Sequence, residues 1–419
     1  VADRRLLLDQ DVAGIEAVIR PEDRQPGLLL ALDDRPVDRA GTAIFRQQRR
    51  MVLDGAVPGD VDEGLRRELQ HIGHHAEIDV ERAQGVFRVL ALEIGKLEQL
   101  QSIKRVFIVA CGTSFYAGMA GRYMIEELSR VAVECDIASE FRYRNPVIPE
   151  NSLVITVSQS GETADTLAAI RLAKKSGALT LSICNVRASS IDREAHGRLY
   201  MNSGPEIGVA STKAFVSTLA LFNLLAIKFG QLHGYIGADV QATAVDALLG
   251  LPAQMETVLS YDKFFAESAI KLKAYRGILF MGRGINFPIA LEGALKLKEL
   301  AYMHAEGYAA GEMKHGPLAL IDERMLILMV CPSDQNYEKT LSNLEEARAR
   351  GGKIVSIGTG DNHELKNVSD DYLALPKAGW MLNPILAAIP VQLLAYHVAD
   401  AMGHDVDQPR NLAKSVTVE

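Results

Sequence analysis

Cysteine is scarce: Cys111, Cys135, Cys184 and Cys331 are all that 419 residues contain, and no two stand at C-x-x-C spacing. That excludes a zinc ribbon and a disulfide framework, and it suits a reducing cytoplasm. Positive charge is in deficit as well. A net charge of -8 argues against a nucleic-acid-binding surface, which needs a basic patch, but leaves room for a small anionic substrate held by local donors. Lysine is missing altogether before Lys96, although arginines are plentiful there, and this shift sets residues 1–75 apart as an N-terminal segment. Asp3, Arg4, Arg5 and Asp9 interrupt the opening residues, so no signal peptide is expected from them. Ala378 to Ala399 carries no Asp, Glu, Lys or Arg, yet Pro384 and Pro390 with Asn383, Gln392 and His397 predict a buried core helix rather than a membrane span. The dinucleotide fingerprint is absent too, because Gly282-Arg-Gly284 is followed by Phe287 where G-x-G-x-x-G needs glycine.

What is present is an ordinary globular composition, 48% apolar and 23% charged, in a chain long enough for two domains and extra segments. His71, His74, His75 and Glu77 form H-x-x-H-H-x-E, read as a solvated helix end with clustered histidines rather than as a metal site, so no metal is assigned. Beyond about residue 96, strand and helix patterns alternate and repeat. Arg105 to Gly112 and Gly277 to Gly284 are apolar strands running into glycine turns, and superposing them without gaps sets Glu127 on Glu299, Glu140 on Glu312, Tyr143 on His315 and Leu153–Val157 on Met325–Met329. Each copy reads as β-α-β-α in a parallel sheet, so an α/β fold of two tandem domains is expected.

The copies differ in chemistry. Val154 to Val157 is a β-branched run that breaks into Ser158-Gln-Ser-Gly-Glu-Thr163 and then a helical pattern ending in lysines. A strand, tight turn and helix start bring together backbone N–H groups without intrahelical partners, the positive end of the helix dipole, and neutral side-chain donors, which together suit a phosphoester. The same letters also describe a plain N-capped helix. Gly112-Thr-Ser114 offers similar donors after the first strand. In the second copy the gapless register gives Val330-Cys-Pro-Ser-Asp-Gln335, without the hydroxyl cradle, but adds Lys296 and Glu299, three apart and so on one helix face, and Lys314-His315-Gly316-Pro317. K-x-x-E is also the pattern of an ordinary surface ion pair, and a histidine in a glycine-flanked turn can be structural or a proton donor and acceptor near neutrality.

Taken together, CGTS at 111–114, SQSGET at 158–163, GVASTKAF at 208–215, EGALKLKEL at 292–300, GEMKHGPLALID at 311–322 and the ending DQPRNLAKSVTVE at 407–419 resemble the isomerase half of the glutamine–fructose-6-phosphate aminotransferase (glucosamine-6-phosphate synthase) family, built of two sugar isomerase (SIS) domains. The resemblance covers about residues 96–419. It implies two tandem SIS domains, each a parallel sheet flanked by helices, at 76–245 (phosphate cradle) and 246–404 (acid and base residues), with an N-terminal segment at 1–75 and an active-site tail at 405–419. It implies conversion of fructose 6-phosphate to glucosamine 6-phosphate with supplied ammonia, or to glucose 6-phosphate without it, and no cofactor. Thr113, Ser114, Ser158, Gln159, Ser160 and Thr163 match the sugar-phosphate positions, and Val209, Ala210 and Ser211 match the pocket lining. Glu299 matches the base that moves a proton between C1 and C2, Lys296 a lysine near the sugar, and Lys414 the tail lysine that forms a Schiff base. His315 matches the ring-opening histidine that reaches the site from a neighbouring subunit, so a homodimer is implied. The family's glutaminase half begins with a cysteine nucleophile, whereas residue 1 here is Val1. By position residues 1–75 would correspond to the end of that half and its linker, yet the K-E-I-x-E-Q-P stretch before the first SIS domain is missing, so no glutaminase site is read and glutamine hydrolysis is not expected of this chain. The competing readings are another SIS sugar-phosphate isomerase or deglycase, or a sugar-phosphate sensor that binds without reacting.

Overall fold

A computed structural model describes residues 97–414. The N-terminal segment 1–75, with its histidine cluster, lies outside the described residues. A short helix α1 (Leu97–Gln101) leads into the first α/β unit: β1 (Arg105–Ala110), α2 (Gly112–Ser129), β2 (Ala132–Ile137), α3 (Ala138–Tyr143), β3 (Ser152–Ser158), α4 (Ala164–Lys175), β4 (Leu179–Cys184), α5 (Ser190–Glu194) and β5 (Gly197–Tyr200). Helices α6 (Lys213–Leu232), α7 (Ala238–Leu249), α8 (Leu251–Leu259) and α9 (Asp262–Leu272) follow. The second unit is β6 (Gly277–Gly282), α10 (Phe287–Ala301), β7 (Ala305–Ala309), β8 (Met325–Cys331), α11 (Tyr337–Arg348), β9 (Lys353–Thr359), α12 (His363–Val368), β10 (Asp371–Leu375) and α13 (Asn383–Ala401).

Both sheets are parallel and the second repeats the first, as the sequence predicts; each has five strands, in the orders β2-β1-β3-β4-β5 and β7-β6-β8-β9-β10. The central strands β3 and β8 are buried along their whole length, which is why they read as continuous apolar runs rather than alternating ones. In each sheet the strand order reverses between the first strand and the third, and a crevice opens there at the carboxyl ends of the strands. The cradle sequences follow β1 and β3, so the topology brings them side by side, with Ala110 paired to Val157.

Strand register corrects the gapless superposition by one residue. Val106 pairs with Leu153 and Ile278 with Leu326, so the offset of 172 between first strands becomes 173 between third strands. Helix α3 and the 3-10 turn Ala310–His315 still keep the offset of 172, so the extra residue falls in the turn between His315 and Met325. Leu153 therefore matches Leu326 rather than Met325, and Ser158 matches Cys331.

One apolar cluster runs from Val106 and Ile155 of the first sheet to Ile278 and Leu328 of the second, so the two units share a core. Two helices, Lys213–Leu232 and Asn383–Ala401, are long and apolar enough to cross a membrane, but 67% and 89% of their apolar windows are buried inside the protein. The Ala378–Ala399 stretch is thus a core helix, as predicted, with Pro384 in its first turn, where no N–H is needed, and Pro390 inside it. Helix α6 packs closely on α2: a Cβ on Gly121 would lie 2.5 Å from Cγ of the fully buried Phe222. Phe222→Ala is expected to lower stability by about 3–5 kcal/mol through the cavity it leaves. Chemical denaturation checks this, and a loss below about 1 kcal/mol would mean that the α2–α6 contact is not a main support of the shared core.

Candidate functional site between the two units

The cradle is formed by side chains folded back on their own turn. The buried Ser158 hydroxyl accepts the Gly161 N–H at 3.0 Å and pairs with the Thr163 hydroxyl at 3.0 Å, while the Ser160 hydroxyl accepts from the Glu162 N–H at 3.2 Å. Thr163 stands at the N-cap of α4 but makes no side-chain cap, so the first N–H groups of that helix receive no side-chain acceptor there. Gly161 has φ +68°, and a Cβ there would meet Ser189 Oγ at 1.9 Å, so both conformation and space require glycine. Gln159 fixes the turn through its carbonyl, which accepts the Asn185 N–H at 3.2 Å. Across the crevice, Gly112 at φ +52° opens α2, Thr113 and Ser114 lie half-buried in its first turn, and Cys111 at the N-cap makes no side-chain cap. Two uncapped helix N-termini therefore flank one crevice, the arrangement predicted for an anion.

The K-x-x-E pair is not on the surface. The Lys296 side chain is 1% exposed, and its ammonium lies 2.5 Å from Glu299 Oε2 and 3.6 Å from Glu292 Oε1. Helical spacing puts all three on one face of α10, and packing against α2 and α13 buries the first two while leaving Glu299 22% exposed. Neither oxygen of Glu292 has a hydrogen bond at proper geometry, although the Thr113 hydroxyl and the Gln392 amide stand beside it. Burial pushes the Glu292 carboxyl up to about 7, with Lys296 pulling it down and Glu299 pushing it up further. Burial acts to lower the pKa of Lys296, and its carboxylate neighbours, Glu292 first, outweigh it and leave the ammonium raised. Thr113 thus belongs to the cradle and to the surroundings of the acid group at once, and Tyr116, one turn further along α2, has its phenol raised by burial and by Glu292. Glu292 was missed in the sequence reading although it opens the EGALKLKEL motif. The available signal was E-x-x-x-K-x-x-E, a pattern that exposed helices share.

The third wall is the 206–211 loop, with Ala210 buried and Val209 and Ser211 half-buried. Here the C-terminal tail is seated. The Asp407 carbonyl accepts the Val209 N–H at 2.9 Å, the Arg410 N–H donates to the Tyr302 hydroxyl at 2.8 Å, and the Arg410 guanidinium lies 4.3 Å from the centre of the Tyr302 ring. Lys414 Nζ donates to Glu206 Oε2 at 3.0 Å and to the Gly208 carbonyl at 2.6 Å. The structure therefore sets Thr113 and Tyr116 of α2 beside the Glu292–Lys296–Glu299 group, brings Lys414 toward it through Glu206, and places the 158–163 turn next to the start of α2 at the ends of paired strands. It does not bring His315 there: that residue is exposed in the 3-10 turn Ala310–His315, and among the described residues no hydrogen bond or ion pair joins it to Lys296, Glu299 or Lys414.

Two segments, residues 99–228 and 271–402, match the model of the SIS domain family, and each covers one of the two α/β units. The chain belongs to the SIS-domain family. It is similar over 323 residues, at 49% identity, to a glutamine–fructose-6-phosphate aminotransferase (isomerizing) of Chlorobaculum tepidum, an alignment covering 77% of this chain and 52% of the relative. It is 50% identical over 392 residues to the protein of the same name from Pectobacterium atrosepticum, covering 92% of this chain and 64% of that one. The chain thus spans between about half and two thirds of the length of these curated relatives. Its structure resembles the C-terminal domain of glucosamine-fructose-6-phosphate aminotransferase from Francisella tularensis, with TM-score 0.73, 38% identity, and coverage of 80% of this chain and 98% of that one. In SIS terms, the first SIS unit supplies the cradle and the second supplies α10, and the Glu292–Lys296–Glu299 group lies where they meet.

A pH dependence of stability follows from Glu292. Its folded pKa of about 7 stands above the ordinary 4.5, so between those values the unfolded chain binds fewer protons and stability falls as pH rises, levelling off above 7. Glu292→Gln is expected to remove this slope, gaining about 3 kcal/mol on the wild type between pH 4.5 and pH 8. Urea midpoints at the two pH values check it, and parallel curves for the two proteins would sink it.

Proposed function

We propose that this chain is the sugar-phosphate isomerase half of a glucosamine-6-phosphate synthase, acting on fructose 6-phosphate in the cytoplasm. The observation that carries the reading is the half-exposed end of Glu299, held by a buried ammonium, beside a cradle of uncapped helix N-termini and neutral hydroxyls. In this reading Ser158, Gln159, Ser160 and Thr163, with Thr113 and Ser114, hold the phosphate and neighbouring hydroxyls, and Val209, Ala210 and Ser211 line the sugar's flank. Binding through N–H and O–H donors without a fixed cation lets a charged product leave again. The chain works as a homodimer in which the partner subunit's His315 assists opening of the sugar ring, which exposes the C2 carbonyl.

The Lys414 amine condenses with the C2 carbonyl and water leaves; ammonia then displaces the lysine from C2 to give the free imine, or, where ammonia is absent, water hydrolyses the lysine imine and restores the ketone. Glu299 takes a proton from C1, giving an enolamine (or an enediol from the ketone), and returns it to C2 as the C1 hydroxyl loses its proton, which leaves an aldehyde at C1 and an amine (or a hydroxyl) on C2; Lys296 fixes the orientation of the carboxylate throughout. With ammonia supplied the product is glucosamine 6-phosphate, and without it glucose 6-phosphate. The similarity to the isomerizing aminotransferases named above supports this substrate over other sugar phosphates.

Purified chain incubated with fructose 6-phosphate is expected to yield glucose 6-phosphate alone and glucosamine 6-phosphate once ammonium is added. Glu299→Gln should lower turnover by about 10²–10⁴-fold while still binding the substrate. Absence of both products from the wild type, with substrate binding intact, would overturn the reading in favour of a sensor.

A further inference from the structure

We propose that Glu206 is a positioning residue, whose buried carboxylate seats the C-terminal tail by pairing with Lys414 and so fixes where that amine stands against the sugar pocket. This rests on the reading above, in which Lys414 reacts with the ketose. The two oxygens of Glu206 do different work. Oε1 accepts the Thr212 N–H at 2.7 Å and the Ala214 N–H at 3.4 Å, capping the start of α6, whose own first turn has no acidic residue. Oε2 accepts the Ser211 hydroxyl at 3.2 Å and the Lys414 ammonium at 3.0 Å. The side chain is 0% exposed, so its charge depends on such partners, and the tail supplies a formal positive charge in direct contact with it.

The same loop grips the tail a second time. The Val209 N–H donates to the Asp407 carbonyl, and Gly208 lies so close that a Cβ on it would be 3.1 Å from Asp407 Oδ1. Residues 206–211 therefore carry the pocket lining, the cap of α6 and both holds on the tail. The charge of Glu206 also reaches Lys296, so the anion that seats the tail lysine lies within the field of the α10 group. Because capping uses one oxygen and tail seating the other, Glu206→Gln separates them: the amide oxygen can keep the helix cap while the NH₂ turns a donor, without charge, toward Lys414.

The test is hydrogen exchange by mass spectrometry on the full chain, in the wild type, Glu206→Gln, Lys414→Met and the double variant. Glu206→Gln is expected to speed exchange in residues 405–414 by roughly tenfold or more, the scale of one charged hydrogen bond, while amides at the start of α6 change by less than about twofold. Lys414→Met should loosen the tail to the same degree, and the double variant no further, because the two residues act through one contact. With fructose 6-phosphate and ammonium, Glu206→Gln should lower kcat and leave KM within about twofold, since the pocket itself is kept. An unchanged tail in Glu206→Gln, additive loosening in the double variant, or protection lost in α6 alone would overturn the proposal. If Glu206→Gln does not fold, wild-type exchange in the tail of Lys414→Met overturns it on its own. Loosening of the tail in a chain that makes neither product would instead sink the functional reading and leave the seating intact.

Discussion

A lysine ammonium buried to 1% exposure is the constraint around which this molecule is assembled. Such a charge persists only where anions meet it, and α10 supplies two, one a turn before Lys296 and one nearly a turn after. Burying that group then takes a wall on each side: α2 of the first unit brings Thr113 and Tyr116, and α13 of the second brings Gln392, whose amide donates to the Thr212 carbonyl at 3.4 Å. Neither α/β unit could bury Lys296 alone. The shared apolar cluster and the charged group thus impose the same relation between the two units, one by area and the other by desolvation.

The duplication makes the division of labour physical. With the register corrected, Ser158-Gln-Ser-Gly-Glu-Thr163 matches Cys331-Pro-Ser-Asp-Gln-Asn336, and Gly161 matches Asp334. Where the first unit leaves N–H groups and hydroxyls facing a crevice, the second places a carboxylate: Asp334 accepts the Asn336 N–H at 2.8 Å and the Asn286 amide at 2.9 Å. Burial raises the pKa of that carboxyl, while these two hydrogen bonds oppose the shift. A phosphate entering this second turn would meet a group of like charge when Asp334 is ionised, whereas the first turn contains only Glu162 as an acid, and its carboxylate is turned away to accept the Ser190 N–H at 2.8 Å. The same topology therefore yields one turn that fits the proposed anion cradle and one turn already occupied by a carboxylate.

What was legible in the sequence was local. Strand, glycine turn and helix start follow one another within a few residues, so the strand–turn–helix after β3 and the duplicated parallel α/β arrangement could be read from spacing, and Pro384 and Pro390, with Asn383, Gln392 and His397, marked α13 as a core helix. The one-residue slip arose because the letters around Glu299 and His315 match without a gap, and the inserted residue hides in the turn after His315. K-x-x-E was legible as a pair but not as a buried one, since its burial comes from helices α2 and α13, far along the chain in both directions. The E-x-x-x-K-x-x-E spacing that includes Glu292 was likewise there without any sign of its burial. Glu206 was less legible still: its partner is 208 residues distant, and a glutamate between proline and isoleucine gives no periodic signal.

The tail is the one part of the site that no sheet or long helix holds. It is fixed by a few polar contacts at Asp407, Arg410 and Lys414, and the residues between them are mostly exposed. Contacts of this kind are each worth only about 1 kcal/mol net, more where a charge is involved, so the seat is stable and also readily left. In the proposed reaction, that balance suits Lys414 as an amine that stands in reach of a carbonyl and then exchanges its carboxylate partner for a covalent bond. A tail lysine held by packed apolar surface would be better ordered but could not make that exchange without unpacking a core. Placing the anchoring carboxylate in the loop that also lines the pocket resolves the conflict: the rigid partner, Glu206, is fixed by the start of α6, and only the flexible one has to move.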